Sequence, residues 1–313
     1  MEPIEIITDI LPEVALDTVK LLPFLYLTYL FMEWLEDKAG EKSAKLLRKF
    51  RTAGPLIGSA AGAVPQCGFS AAAASLFSGR VITLGTLIAI FLSTSDEMLP
   101  LLISNQAEIS VILKLILSKF AIGVVTGFVI DLLYKAIQMR KAKRLLGGKK
   151  GDGPTAYFVA DNYSIHELCE DEHCGCEDEH SNIFLSALKH TLKIALFIFV
   201  ISFLAAILVE SFGEERVAAF LAGNEIGGIF VTALIGLIPN CGASVLLTTL
   251  FLDGLITTGQ AMAGLLVSAG VGLLVLFRTN RRHIKTNLGV LVLLYICGTL
   301  WGLLINLIAP GTL

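Results

Sequence analysis

Two short motifs with the same chemistry lie far apart in the sequence. PQCGFS at residues 65–70 returns 174 residues later as PNCGAS at residues 239–244. Each motif offers a thiol, a side-chain amide and a hydroxyl, and thiolates prefer soft metals and metalloids. The candidate substrate-binding residues are therefore Gln66, Cys67, Ser70, Asn240, Cys241 and Ser244. The structural alternative is that each cysteine is a small apolar residue that allows close helix packing.

A second set of soft ligands lies in the polar stretch 146–183, within SIHELCEDEHCGCEDEHSN. Its candidate metal ligands are His166, Cys169, His173, Cys174, Cys176 and His180. Such a composition is typical of metal-binding tracts, although the spacing matches no standard zinc pattern. Zinc, manganese, cadmium and trivalent arsenic are the candidate ions for this loop, and no other cofactor is expected. The alternative is an acidic loop that only interacts with water.

Ionisable residues in apolar segments form a third group, because a charge inside a bilayer is costly and usually functional. The candidates for proton or ion coupling are Lys20, Asp96, Glu97, Lys119, His190 and Lys193. Simpler interpretations remain for most of them. Asp96 and Glu97 would lie in the outer headgroup region if their helix ended early. For Lys119 the alternative is a structural ion pair with one of these carboxylates. Lys20 and Lys193 are close enough to helix starts to extend to the lipid headgroups.

The composition shows what must position these residues. Of the 313 residues, 55% are hydrophobic and only 16% are charged, and the mean hydropathy is +0.76. Apolar stretches of about 20 residues, the length that spans a bilayer, recur along the chain. The sequence therefore predicts an all-α polytopic membrane protein and excludes a soluble enzyme, a DNA-binding protein and a secreted disulfide scaffold.

The 174-residue offset extends beyond the motifs. It aligns residues 54–99 with the second half without a gap, and it relates Gly123 and Gly127 to Gly298 and Gly302 with one extra residue. These two GxxxG pairs are most simply close helix contacts. The sequence thus predicts a first transmembrane repeat at 1–145, a cytosolic loop at 146–183 and a second repeat at 184–313.

Basic residues indicate the orientation of the repeats. Seventeen of the 24 Lys and Arg residues lie at 38–51, 135–150 and 278–285, and the positive-inside rule places all three stretches in the cytosol. Three apolar segments, 53–77, 82–103 and 110–134, separate the first two stretches, so one of them does not cross. The segment 53–77 is interrupted at Pro65 and predicts a re-entrant hairpin, with 228–252 as its counterpart.

Each half then has three full helices and one hairpin, which gives ten membrane segments when hairpin arms are counted separately. An odd number of crossings makes the repeats inverted, with both termini outside the cell. The segments 82–103 and 255–277 are predicted as continuous helices. Inverted repeats with broken helices that meet at the midplane are typical of secondary transporters.

The paired PxCGxS hairpins, the inverted halves and the Cys/His-rich loop resemble the bacterial ten-span heavy-metal exporter family, whose members include arsenic efflux and manganese transporter-like permeases. The resemblance implies an efflux permease of the bacterial cytoplasmic membrane whose partners are a transported ion and the bilayer. It carries over no established substrate-binding residues.

The expected function is export of a heavy-metal or metalloid ion with proton exchange as the coupling mode. An anion carrier is the first alternative, because helix N-termini at both tips offer positive potential, and a passive channel is the second. An enzyme is not expected, since the spans contain no nucleophile–base pair and the chain has no phosphate-binding loop of the GxxxxGK[ST] type. No nucleic-acid partner is expected, and the sequence leaves the oligomeric state open, with a homodimer as one option.

Overall fold

The computed structural model describes residues 3–37, 53–95, 98–145, 183–212, 221 and 223–308. All regular secondary structure in these ranges is helical, as the sequence predicts. The first half contains α1 (Pro3–Asp37), α2 (53–62), α3 (Gly68–Ser78), α4 (Leu84–Ser93), α5 (Met98–Ser104) and α6 (Ile109–Leu145). The second half contains α7 (Ile183–Phe212), α8 (Glu225–Gly236), α9 (Cys241–Leu252), α10 (Thr258–Val267), α11 (Gly272–Thr279) and α12 (Ile284–Ile308), with a 3-10 turn at Arg281–His283.

The helices of the two halves recur at the offset of the sequence repeat. α4 and α10 begin and end at equivalent positions, and α5 and α11 begin at equivalent positions. The hydroxyls of Thr83 and Thr257 cap α4 and α10, and each accepts a hydrogen bond from the backbone N–H three residues later. Equivalent sequences therefore form the same local structure, including the residue that starts the helix.

α3 and α9 also end in the same way. The residue after each helix's final turn has a left-handed backbone, with φ of 58° at Arg80 and 71° at Gly254. The N–H of the next residue then donates a hydrogen bond to a carbonyl of the helix. The N–H of Val81 donates to the carbonyl of Leu76, and the N–H of Leu255 donates to that of Leu250, both at 2.9 Å. This is the hydrogen-bond pattern of a Schellman motif, which satisfies carbonyls at a helix C-terminus.

Two helices that the sequence predicts as continuous are interrupted. The predicted helix 82–103 is divided, because α4 ends at Ser93 and the described residues that follow, 94–95, are not helical; we call residues 94–95 the first break. The predicted helix 255–277 is divided into α10 and α11 by residues 268–271, the second break. The breaks lie 174 residues apart, so they belong to the repeat and correct the prediction in both halves.

Local features accompany both breaks. In the first break the N–H and the hydroxyl of Thr94 both donate to the carbonyl of Ile90, at 3.0 and 2.7 Å, and the ψ of 127° at Thr94 then takes the chain out of the helix. Pro100 follows in the first turn of α5, where its missing N–H costs no helical hydrogen bond. In the second break Gly270 has a φ of 52°, a conformation that ends a helix and favours glycine.

The broken helices form the centre of the molecule. Five segments of the described chain are long and apolar enough to cross a membrane: Leu84–Ser104, Ile109–Ile137, Ala187–Ile207, Thr258–Thr279 and Arg281–Ile308. The two broken segments are 75% and 89% buried, whereas the other three are 28–35% buried. The less buried segments expose many Leu, Val and Ile side chains, which suits contact with lipid and supports a multi-pass membrane protein.

The predicted GxxxG contacts pack the outer helices onto the broken ones. A Cβ atom on Gly127 of α6 would lie 2.7 Å from the carbonyl oxygen of Gly85 in α4. A Cβ atom on Gly302 of α12 would lie 2.9 Å from the carbonyl oxygen of Gly259 in α10. The backbones approach so closely that only glycine fits, which confirms the close-packing interpretation.

Candidate functional site

The two cysteine motifs form two tips of the same shape. The first tip, residues 63–67, joins α2 to α3, and the second tip, residues 237–240, joins α8 to α9. In both tips the backbone N–H of the amide residue, Gln66 or Asn240, donates to the carbonyl two residues earlier at 2.8 Å. The hydroxyls of Ser70 and Ser244 donate to the carbonyls of Cys67 and Cys241, also at 2.8 Å. The sequence repeat therefore produces two copies of one local geometry.

Both cysteines lie at helix N-termini. Cys67 is the N-cap residue of α3, and Cys241 is the first residue of α9. Asn240 caps α9, since its side-chain oxygen accepts a hydrogen bond from the N–H of Gly242 at 3.4 Å. Free N–H groups give a helix N-terminus partial positive charge, which favours a negatively charged group beside it. Neither Cys67, which is partly exposed, nor Cys241, which is buried, forms a disulfide bond, so both carry a thiol that can act as a soft ligand.

The helix after each tip packs against the other half of the chain. A Cβ atom on Gly272, the first residue of α11, would lie 2.8 Å from Cβ of Ser70 in α3. Further along the same pair of helices, Oγ of Ser78 and Oγ1 of Thr279 lie 2.6 Å apart. α9 likewise contacts α5. We call this arrangement the crossed packing, because each tip is followed by a helix that lies on the broken helix of the other repeat.

Lys119 joins the two broken helices. It lies in α6 and only 1% of its side chain is exposed. Its ammonium group donates a hydrogen bond to the backbone carbonyl of Thr94, in the first break. It also donates to the carbonyl of Leu265, 2.9 Å away in the last turn of α10. A single buried cation thus contacts the C-terminal ends of α4 and α10.

Residues 17–155 match the model of a protein family described as "Putative, 10TM heavy-metal exporter". The match confirms the family resemblance. It spans the first tip, the first break and Lys119, and it covers less than half of the 313 residues. Searches of curated proteins and of solved structures found no significant match. The family description names a heavy-metal exporter, so the match supports a membrane transporter.

The other predicted coupling residues differ from Lys119 in their setting. Lys20 is exposed and forms an ion pair with Asp17 at 3.1 Å, and Lys193 is also exposed. Ion pairs of this kind contribute little to stability. Asp96 and Glu97 follow the first break in sequence and lie outside the described residues, and only the backbone of His190 is described. Lys119 is therefore the one predicted coupling residue that the described structure places in the buried centre.

The Cys/His-rich loop lies outside the described residues together with its six predicted metal ligands: His166, Cys169, His173, Cys174, Cys176 and His180. Within the described ranges no group of three or more His, Cys, Asp or Glu side chains is arranged to hold a metal ion. Metal binding at the tips would therefore use thiols with amide or hydroxyl oxygens, a donor set that suits thiophilic ions.

Sequence reasoning missed the role of Asp131. This residue of α6 accepts a hydrogen bond from the hydroxyl of Thr83 at 2.7 Å and another from the N–H of Gly85 at 2.8 Å. It therefore caps the N-terminus of α4 from a neighbouring helix. The repeat aligns Asp131 with Asn306, whose Cβ would lie 2.5 Å from a Cβ atom on Gly259 at the start of α10. The alignment of a polar residue, Asp131, with another, Asn306, is the signal that the sequence offers for this role. It does not identify α4 as the helix that Asp131 caps.

Proposed function

We propose that the protein is a secondary active transporter that exports a heavy-metal or metalloid ion across the cytoplasmic membrane by alternating access. The observation that carries this proposal is the crossed packing of α3 on α11 and of α9 on α5. Transporters built from two repeats bind their substrates where broken helices of the repeats meet. The description of the matched family supplies the substrate class.

The proposed topology is a pair of inverted repeats whose tips enter from opposite membrane faces. Helix length supports it: α2 has ten residues and α3 has 11. At a rise of about 1.5 Å per residue, these helices extend about 15–17 Å, which is roughly half of a ~30 Å hydrocarbon core. Each half then has three full crossings and one re-entrant hairpin, with both termini outside the cell.

The proposed substrate site lies at the two tips. Cys67 and Cys241 would bind a thiophilic ion through sulfur, and the amide oxygens of Gln66 and Asn240 would complete its coordination. Ser70 and Ser244 would position the cysteines, because their hydroxyls hold the cysteine carbonyls. The cytosolic Cys/His-rich loop would bind metal before transport or regulate transport according to metal load.

Proton exchange is the proposed coupling mode. Asp96 and Glu97 come directly after the first break in the sequence, and Lys119 contacts Thr94 in that break, so these three residues are the leading candidates. His190, Lys20 and Lys193 remain secondary candidates from the sequence. In the proposed cycle, protons enter from outside as the metal ion leaves the cytosol.

Uptake into inside-out membrane vesicles tests the function. Manganese, zinc, arsenite and an organic anion are compared with and without a proton gradient. The proposal predicts saturable, gradient-dependent uptake of at least one metal or metalloid. Cys67→Ala and Cys241→Ala should abolish it, whereas Cys297→Ala, which changes a free cysteine of α12 outside the tips, should leave it unchanged.

Three results would contradict the proposal. Saturable uptake of only the organic anion, unaffected by the tip substitutions, would indicate an anion carrier. Flux that neither saturates nor depends on the gradient would indicate a channel. Single cysteines at Ala53→Cys and Arg80→Cys, in a background without other cysteines, should be labelled from the same side, and labelling from opposite sides would refute the re-entrant hairpin.

A further inference from the structure

The burial of Lys119 needs an explanation. Its side chain is 1% exposed, and it lies within the apolar segment Ile109–Ile137 of α6. Insertion scales place the cost of a lysine at the centre of a membrane helix at about 2.5–3.5 kcal/mol. A charge in this position therefore requires partners that stabilise it, and two of these partners are backbone carbonyl oxygens.

Both oxygens belong to helix C-termini. Leu265 is one of the last four residues of α10, whose carbonyls have no N–H partner within a helix that ends there. The neighbouring carbonyl of Gly264 is already used, because it accepts the N–H of Ser268 at 2.9 Å. Thr94 is the C-cap residue of α4. Helix C-termini carry partial negative charge, so two of them directed at one point favour a cation.

We propose that the ends of α4 and α10 form a binding site for a monovalent cation, and that the ammonium group of Lys119 occupies this site as a covalently attached cation. Backbone carbonyls at the ends of broken helices coordinate Na⁺ in other carriers, and an ammonium group satisfies the same oxygens with N–H donors. The site differs from the tips, because hard carbonyl oxygens select a different ion from soft thiols.

The surroundings support a cation held by carbonyls. Neither α4 nor α10 contains an Asp, Glu, His, Lys, Arg or Cys residue. Asp96 and Glu97 are the ionisable residues nearest to Thr94 in sequence, and they lie outside the described residues. Because Lys119 supplies the charge from α6, the two helix ends of different repeats remain stabilised without an ion from solution.

The test uses the purified full-length protein in detergent and measures its thermal unfolding midpoint in NaCl, KCl or choline chloride at equal concentration. Lys119→Ala removes the ammonium and leaves space for a small ion. Its midpoint should be higher in NaCl or KCl than in choline chloride, because choline is too large for the site. At an ion concentration ten times the dissociation constant, binding raises the folded-to-unfolded ratio about 11-fold. This corresponds to a rise of about 3 °C in the unfolding midpoint.

Two comparisons make the result decisive. Wild type and Lys114→Ala, which changes an exposed lysine of the same helix, should show no difference between the salts. Lys119→Met fills the space without a charge, so it should have a lower midpoint than wild type in every salt. The proposal is overturned if Lys119→Ala responds equally to all three salts or folds in none of them. It is also overturned if Lys119→Met matches wild type. No transported ion is used, so the outcome is independent of the proposed export function.

Discussion

A methyl group at Gly236 tests the contact that holds α8 against the broken helix α10. An ideal Cβ atom at this position would lie 2.2 Å from the carbonyl oxygen of Gly264, and real Cβ contacts essentially never fall below 3.0 Å. The two backbones must therefore separate by about 0.8 Å in Gly236→Ala. Overpacking typically costs about 1–3 kcal/mol. We expect about 3 kcal/mol, because the obstructing atom is backbone and cannot rotate away.

Gly289→Ala is the matched control. It also adds one methyl group to a glycine within a helix, α12, but no atom lies within 4 Å of the new Cβ. Alanine favours a helix over glycine by about 0.5–1 kcal/mol, so this variant should be as stable as wild type or slightly more stable. Equilibrium unfolding in detergent, followed by circular dichroism, measures both variants. Equal stability of Gly236→Ala and Gly289→Ala would refute the close approach of α8 and α10.

Two further substitutions test the ends of helices in the same unfolding assay. Asp131→Ala should destabilise the protein by about 2 kcal/mol, because the hydroxyl of Thr83 and the N–H of Gly85 lose a charged acceptor. Asp131→Asn keeps one acceptor oxygen, so it should lose less stability than Asp131→Ala. An equal loss of stability in the two variants would contradict the capping role. Gly254→Ala should cost about 1 kcal/mol, because its φ of 71° strains residues with a side chain although no atom lies within 4 Å. An unchanged stability would show that the turn after α9 relaxes.

The sequence was sufficient to place the two tips. Proline removes a backbone donor and glycine permits unusual backbone angles, so PQCG and PNCG together favour an interruption of the apolar segments that contain them. The interruption predicted at Pro65 is confirmed, since α2 ends at residue 62 and α3 begins at Gly68. The counterpart segment is interrupted between Gly236, where α8 ends, and Cys241, where α9 begins. The positions of the two tips follow from the effect of proline and glycine on the neighbouring backbone, and that effect can be deduced from the sequence alone.

The two breaks could not be deduced in the same way. Hydropathy averaged over a membrane-length window identifies an apolar segment, but it does not report whether the backbone hydrogen bonds continue through it. Thr94 and Gly270 are both tolerated inside membrane helices, so neither residue alone predicts an interruption. The hydrogen bond between Lys119 and Leu265 joins residues 146 positions apart, and it depends on the packing of the two halves rather than on any local pattern.

The structure separates a duplicated framework from a set of ionisable residues that occurs once. The tips, their cysteines, the helix caps and the breaks all recur at the repeat offset. Asp96 and Glu97 have Gly270 and Val271 as counterparts, and the alignment of Gly123 with Gly298 relates Lys119 to Leu294, which is fully buried. A soft ion held between the tips would meet one cysteine from each half, whichever side of the membrane the site faces.

A charge that only one half carries would make different contacts in the inward-facing and outward-facing states of the proposed cycle, so it would give those two states different energies. Coupling to a gradient requires such a difference, because a ligand shifts an equilibrium only by its differential affinity for the two states. We therefore expect ion selectivity to depend on the duplicated tips, and gradient dependence to depend on the ionisable residues that have no ionisable counterpart in the second half.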